Sequence, residues 1–254
     1  MSACRGILAT GLAALVAALL GACGSSGNAE KGRVAAKTAA PVVTAAPTVD
    51  AASKTSEPRT RPHNFSFTAQ PLPARIRRRV KGVSWRPGCP VALSRLRFIQ
   101  MNHWGFDRKV HSGVMIVNAT AVSDVRSAFA RLFDKRFPIR KVRLVDDYGA
   151  DDFDSIEADN TSSFNCRRAT GSTRWSEHAY GRAIDINPIE NPYVYANGTT
   201  VHRASRTYLD RSRIRRGMAI AGRTLVNAFA AAGWRWGGRW SPAKDLQHFS
   251  ATGE

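Results

Sequence analysis

The segment 176–187, SEHAYGRAIDIN, restricts the fold more than any other part of the sequence. Ile184 and Ile186 are separated by Asp185, and successive side chains of a β-strand point to opposite faces of a sheet. The alternation predicts a strand whose isoleucines enter the hydrophobic core while the carboxylate of Asp185 points the other way. The sheet that contains this strand must then have one apolar face and one face that lines a cavity.

Two histidines accompany this aspartate. His178 precedes Asp185 by seven residues, the wrong parity for the same face of a straight strand, and Gly181 predicts the bend that brings the imidazole back. A second element places Asp245 three residues before His248. Two histidines and one aspartate fill three corners of a tetrahedral zinc site and leave the fourth for water. This is the pattern of a catalytic metal rather than a structural one.

A catalytic zinc site also needs a base and a cation. Asp245 is spaced so that its carboxylate can lie beside the metal without binding it and take a proton from water. Attack of water on a peptide carbonyl creates an oxyanion, which a positive side chain stabilises. Arg167 is the first candidate for this role and Arg174 the second. Ser176 is a candidate for binding substrate or for orienting a metal ligand.

Taken together, these residues resemble the motifs of a known family. The patterns Ser-x-His-x-x-Gly-x-Ala-x-Asp at 176–185 and Asp-x-x-His-Phe at 245–249 resemble the D-alanyl-D-alanine carboxypeptidase family of zinc peptidases. This family includes D,D-dipeptidases of vancomycin resistance and phage endolysins that cut between L-alanine and D-glutamate. The resemblance covers 139–249, and the surrounding sequence is similar to the endolysin-like branch at 164–167, 185–188 and 233–240.

The resemblance implies a zinc peptidase of the hedgehog or D,D-peptidase-like fold that hydrolyses peptidoglycan stem peptides. It implies that His178, Asp185 and His248 bind Zn²⁺. It also implies that Asp245 is the general base and that Arg167 activates the carbonyl. The base is aspartate where the dipeptidase branch has glutamate, which argues against a strict dipeptidase. D,D-carboxypeptidase, L-Ala-D-Glu endopeptidase and cross-bridge endopeptidase would all use this site.

Strand and helix patterns are mixed along the chain without a regular βαβ alternation. The apolar run 113–117 is typical of a buried strand, and 139–145 alternates as a second strand. Apolar residues recur at helical spacing over 122–133 and 220–229, and Gly233 is expected to stop the second helix. The sequence therefore predicts an α+β fold, with a small antiparallel sheet flanked by helices.

The N-terminus predicts export. Residues 7–20 form an apolar stretch with the length of a secretory signal, too short for a comfortable transmembrane helix. They run into Leu-Gly-Ala-Cys, which resembles a bacterial lipobox with Cys23 as the lipidated residue; an ordinary signal with the same small residues is the alternative. The following Ala-, Thr-, Ser- and Pro-rich sequence is typical of a disordered tether. The predicted organisation is a signal peptide at 1–22, a lipidated N-terminus and tether at 23–62, and a zinc peptidase domain at 63–254.

A formal net charge of +19 predicts attraction to polyanions. Anionic membrane lipid and anionic wall polymers suit an exported protein, whereas export argues against genomic DNA, so no nucleic-acid partner is expected. The cluster 75–81 is either a solvated face or a contact with such polyanions. The predicted location is outside the cytoplasm, lipid-anchored to the membrane and facing the cell wall.

The four cysteines divide by position. Cys4 lies in the removed peptide and Cys23 is the candidate lipidation site. Cys89 and Cys166 remain as a pair in an oxidising compartment, where a disulfide is expected. Binding of zinc by these two thiolates is disfavoured because neither belongs to a C-x-x-C pair.

Two other groups of residues have two interpretations each. The acidic stretch 146–159 either forms a wall of the cleft that holds the free amine of a stem peptide, or is a solvated loop of Asx turns. The tryptophans at 234, 236 and 240 either line a cleft or pack in the core.

The four remaining histidines are interpreted as ordinary surface or core residues. They are His63, His103, His111 and His202, and the position of His111 relative to the cleft is left open.

Two alternatives to an active enzyme follow from the same sequence. One is a catalytically inactive protein that keeps zinc to hold its fold, and the need for Asp245 in activity distinguishes it. The other is a basic wall-binding lipoprotein, which explains the charge and the tether but not the pattern of histidines and aspartates.

Overall fold

Small antiparallel sheets and short helices make up residues 64–253, the part of the chain that this computed structural model describes. The strands are β1 (Phe67–Pro71), β2 (Leu96–Trp104), β3 (Val110–Asn118), β4 (Ala183–Asp185), β5 (Tyr193–Val194), β6 (Arg235–Trp236), β7 (Lys244–Asp245) and β8 (His248–Ser250). The helices are α1 (Ala74–Val80), α2 (Val122–Asp134), α3 (Asp152–Glu157) and α4 (Thr224–Ala230). The predicted signal peptide, the candidate lipidation site Cys23 and the tether lie outside the described residues.

The first sheet has the order β1–β2–β3 and packs one face against α2. Ile99 of β2 lies opposite Met115 of β3, and both side chains are buried. α2 contributes apolar residues at spacings of three and four, which place them on one side of a helix: Val125, Phe129 and Leu132. The predicted strand 113–117 lies within β3, and the predicted helix 122–133 coincides with α2.

The second sheet has the order β4–β8–β6, and a third pairs β5 with β7. Ile184 of β4 lies opposite Phe249 of β8, and neither side chain is exposed. Both belong to the same hydrophobic cluster as α2 and the first sheet. The α+β class predicted from the sequence is therefore confirmed, although three small sheets replace the single sheet that was expected.

The strand predicted at 139–145 is wrong. This segment makes only isolated bridges, from Pro138 to Trp104 and from Val142 to Thr161. Its apolar side chains are buried as their alternation suggested, but two of its backbone amides donate to side chains instead of a neighbouring strand. The amide of Arg140 donates to Asn187 Oδ1 at 3.0 Å, and that of Arg143 donates to Asn160 Oδ1 at 2.9 Å.

The second predicted helix, at 220–229, is present as α4 but begins later, at Thr224. Ile220, expected within the last helix, precedes α4, and Gly233 follows that helix with a φ of +82°.

The acidic stretch 146–159 is more ordered than the solvated loop that was one of its two interpretations. It contains a 3-10 turn at Val145–Tyr148 and then α3, which Asp151 caps by accepting a hydrogen bond from the Asp154 amide at 3.0 Å.

A disulfide joins Cys89 to Cys166, the pair expected from the sequence, with a Cα–Cα distance of 5.9 Å. It connects the segment that follows α1 to the segment that carries Arg167. The buried Cys166 belongs to a second hydrophobic cluster together with Ile76 of α1 and Phe98 of β2. Within residues 64–253, no helix has the length and the apolar character needed to cross a membrane.

Candidate metal centre and active-site cleft

The pairing of β4 with β8 brings Asp185 and His248 together. The two residues are directly opposite in register, one position away from the buried pair of Ile184 and Phe249. Because neighbouring positions face opposite sides of a sheet, the pair that follows the core pair points away from the core. Asp185 Oδ1 lies 3.2 Å from His248 Nδ1.

His178 reaches the same place from a 3-10 turn at Glu177–Tyr180. Ser176 caps this turn, and its hydroxyl accepts a hydrogen bond from the His178 amide at 3.3 Å. Gly181 ends the turn with a φ of +67°, and a Cβ there would lie 2.7 Å from the Asn118 backbone nitrogen. The bend predicted at this glycine is therefore present, and both conformation and space require glycine.

A hydrogen bond fixes the tautomer of His178. Its Nδ1 donates to the Ser163 carbonyl at 2.6 Å, so Nε2 carries a lone pair. This Nε2 lies 3.2 Å from Asp185 Oδ2 and 3.2 Å from His248 Nδ1. A carbonyl acceptor on the second nitrogen is the usual arrangement for a histidine that binds a metal.

The three donor groups fit a zinc ion. Two ligand atoms that are each ~2.0–2.1 Å from a tetrahedral metal are separated by about 3.3 Å. The two imidazole nitrogens lie 3.2 Å apart, and each lies 3.2 Å from one of the two carboxylate oxygens of Asp185. His178, Asp185 and His248 are all buried, and together they form a group able to hold a metal ion. Although burial alone would raise the pKa of Asp185, the two imidazoles hold that pKa below its ordinary value.

Asp245 lies next to this group in β7, opposite Tyr193 of β5. Its Oδ1 is buried and has no hydrogen-bond partner among residues 64–253. Burial raises the pKa of Asp245 to about 6, and the Asp185 carboxylate adds to this increase. The backbone of Gly237 packs closely against Asp245. A side chain would not fit there, because a Cβ at Gly237 would lie 2.7 Å from the Asp245 carbonyl oxygen. The sequence alone gave no sign of this role for Gly237.

A cleft of about 460 Å³ is lined by the three candidate metal ligands and by Asp245. α3 contributes Asp152, Phe153 and Ile156, and the segment around the disulfide contributes Arg167, Arg174 and Trp175. Further lining comes from 193–202 and from Trp240, whose ring centroid lies 5.1 Å from that of His248. Of the three tryptophans considered above, Trp240 therefore lines the cleft, whereas Trp234 is buried in the core.

Comparison with known proteins adds one finding. Residues 170–251 match a family model described as D-alanyl-D-alanine carboxypeptidase. The match confirms, over these residues, the resemblance found in the sequence. The match supports a peptidase, and it includes His178, Asp185, Asp245 and His248. No curated protein and no solved structure matches the chain.

Arg167 lies just outside the segment that matches the D-alanyl-D-alanine carboxypeptidase family. It forms an ion pair with Asp152, whose Oδ1 also accepts a hydrogen bond from Asn165 Nδ2 at 2.8 Å. The positive charge of Arg167 opposes the increase in the pKa of Asp245. Both arginines considered for the oxyanion, Arg167 and Arg174, line the cleft, and so does Ser176.

Sequence reasoning missed several residues of this peptidase cleft. His202 was interpreted as an ordinary histidine, yet it lines the cleft, and its Nδ1 lies 2.6 Å from Glu157 Oε1. Asp152 was grouped with an acidic loop, although it pairs with Arg167. His111 lies in β3 and does not line the cleft. Its Nε2 lies 2.9 Å from Oδ1 of Asp107, in the turn between β2 and β3. A Glu157–His202 contact between residues 45 positions apart leaves no local pattern in the sequence.

Proposed function

We propose that this chain is a zinc peptidase that hydrolyses peptide bonds of peptidoglycan stem peptides, as a D,D-carboxypeptidase or an L-Ala-D-Glu type endopeptidase. The observation that carries the proposal is the buried group of His178, Asp185 and His248 at the cleft, in which the two imidazole nitrogens lie 3.2 Å apart and each lies 3.2 Å from one carboxylate oxygen of Asp185. The match to the D-alanyl-D-alanine carboxypeptidase family over 170–251 supports the substrate class. We also propose that the domain has the hedgehog or D,D-peptidase-like fold.

The residues around this group have complementary roles in the proposed mechanism. His178, Asp185 and His248 would hold the zinc ion, which when bound would supply a Lewis acid able to lower the pKa of water and polarise a carbonyl. Asp245 takes a proton from the attacking water and returns it to the leaving amine, using the buried Oδ1 that has no hydrogen-bond partner in the described chain. Arg167 stabilises the oxyanion by its positive charge. The Ser163 carbonyl keeps the His178 ring in one orientation.

Digestion of purified peptidoglycan by the full-length chain tests this function. Mass analysis of the released fragments identifies the bond: loss of one D-alanine indicates a carboxypeptidase, and release of the stem from L-alanine indicates an endopeptidase. A matched digestion with Asp245→Ala controls for contaminating hydrolases. Peptidoglycan left intact by a zinc-loaded preparation would contradict the proposal and favour the catalytically inactive alternative.

We further propose that the protein is extracytoplasmic and lipid-anchored at Cys23, and that its basic surface contacts anionic membrane or wall polymers. The arginines of α1 support the second part. Arg75, Arg77, Arg78 and Arg79 are all exposed, and only Ile76 and Val80 of this helix enter the core. Neutralising these arginines should weaken retention of the protein on isolated cell walls, with a stronger effect at low salt.

A further inference from the structure

Exposed apolar side chains are concentrated at the cleft. Among residues 64–253, four large hydrophobic residues are exposed: Phe153 at 52%, Tyr195 at 41%, Val201 at 55% and Ile214 at 48%. The first three line the cleft, and Ile214 does not. We call Phe153, Tyr195 and Val201 the apolar rim. They come from α3, from the residue after β5, and from the residues before a 3-10 turn at Arg203–Tyr208. Three separate segments therefore each place an exposed apolar side chain at the same cleft, as is typical of a binding surface.

Hydrogen-bonding groups lie beside the apolar rim. The ring of Phe153 packs against that of His202, with centroids 4.7 Å apart. His202 is buried, lines the cleft, and is held through Nδ1 by Glu157 at 2.6 Å. The Tyr195 ring meets the Tyr193 ring edge to face at 5.1 Å, and both carry hydroxyl groups. The rim therefore combines aromatic surface with polar groups that fix orientation.

The stem peptide alone does not match this surface. Its alanine residues offer only methyl groups, and its other side chains carry carboxyl, amide or amine groups. An amine would need free carboxylates, but Asp151 caps α3 and Asp152 pairs with Arg167. A pyranose ring has the required character, because one face presents C–H groups over an area similar to an aromatic ring and the edge carries hydroxyl and acetamido groups.

We propose that the apolar rim binds a sugar ring of the glycan strand, so that the preferred substrate is a stem peptide still attached to N-acetylmuramic acid. This proposal rests on the proposed function and extends it. It favours cleavage close to the glycan over trimming of free peptides. The metal ligands and Asp245 act on the peptide bond, while the rim selects which peptides reach them.

Two matched substrates test the proposal. One is the free stem peptide, and the other is the same peptide linked to the N-acetylglucosamine–N-acetylmuramic acid disaccharide. Phe153→Ala and Tyr195→Ala should lower kcat/KM for the disaccharide-linked peptide by roughly threefold to tenfold more than for the free peptide, the usual range for one lost aromatic contact. Ile214→Ala is the matched control, because this residue is similarly exposed but lies outside the cleft.

Equal effects of the rim variants on both substrates, or none on either, would overturn the proposal. Binding of the disaccharide alone, followed by NMR titration of the full-length chain, gives a second readout that needs no hydrolysis. Binding that weakens in Phe153→Ala but not in Ile214→Ala supports the rim even if no peptide is cleaved, in which case the proposed function fails and the sugar site stands. Absence of disaccharide binding to the wild-type chain, with cleavage of free peptides intact, overturns the rim and leaves the peptidase.

Discussion

Asp152 forms an ion pair with Arg167 at the cleft, and it also accepts a hydrogen bond from Asn165 at 2.8 Å. The carboxylate thus connects α3 to the segment in which the disulfide-bonded loop ends at Cys166. An arginine that stabilises an oxyanion must be held in place before the reaction, since a mobile side chain loses much of its effect. We therefore propose that Asp152 is a positioning residue for Arg167, which is a different role from the amine binding considered for the acidic stretch.

Asp152→Asn should lower kcat by roughly tenfold, the lower end of what loss of an orienting partner causes, with little change in KM or bound zinc. Asp154→Asn, an exposed residue of the same helix, is the control. The decisive measurement is a double-mutant cycle with Arg167→Ala. In the absence of Arg167 the Asp152 substitution should have no further effect on kcat, and a full additive loss would show that Asp152 acts elsewhere.

Removal of a metal ligand and removal of the base should have separable effects. His248→Ala should lose bound zinc, because two remaining donors hold the ion poorly, whereas Asp245→Ala should keep about one zinc per chain and lose hydrolysis. Metal content by mass spectrometry and peptidoglycan digestion measure the two effects. Wild-type hydrolysis by Asp245→Ala would show that another group is the base.

Reduction of the disulfide should lower the melting temperature and the activity together. The bond between Cys89 and Cys166 closes a loop with a sequence separation of 77 and fixes the residue before Arg167. A disulfide of this kind stabilises a domain by ~2–4 kcal/mol. Calorimetry with and without reductant provides the measurement. Two free thiols in protein exported through its own N-terminus would refute the prediction.

Glu190 should make the protein less stable as the pH rises. Burial raises the pKa of Glu190 to about 8, Asp159 adds to the increase, and the hydrogen bond from Arg140 opposes it. The folded state therefore keeps a proton that the unfolded state releases, so stability is fully present below the ordinary value of 4.5 and declines towards pH 8. Glu190→Gln cannot release a proton, so its melting temperature should fall less between pH 5 and pH 8 than that of the wild type.

The quantity to compare is the difference in melting temperature between the wild type and Glu190→Gln at each pH, measured at one fixed zinc concentration. Titration at the metal centre affects both proteins equally and cancels. Asp134→Asn, which removes an exposed carboxylate at the end of α2, should follow the wild-type curve. Parallel curves for the wild type and Glu190→Gln would show that this carboxyl group is ionised in the folded state throughout the range.

Local patterns in the sequence identified the centre of the site but not its surroundings. The parity of Ile184 and Asp185 predicts the two faces of β4, and the bend at Gly181 follows from glycine alone. The positions of Asp152 and His202 depend on contacts between distant segments, which leave no periodic signal. The same limit explains the wrong strand at 139–145, two of whose amides donate to the side chains of asparagines that follow later in the chain.

The pairing of β4 with β8 ties metal binding to strand register. A slip of β8 by one residue would turn Phe249 towards the metal centre and His248 into the hydrophobic core. Such a misregistered chain would bury an imidazole without a partner and would have no complete ligand set. Under the proposed function, zinc would therefore select among near-native folding products, because the register that completes the ligand set is also the one that packs Phe249 against Phe229, with ring centroids 4.4 Å apart.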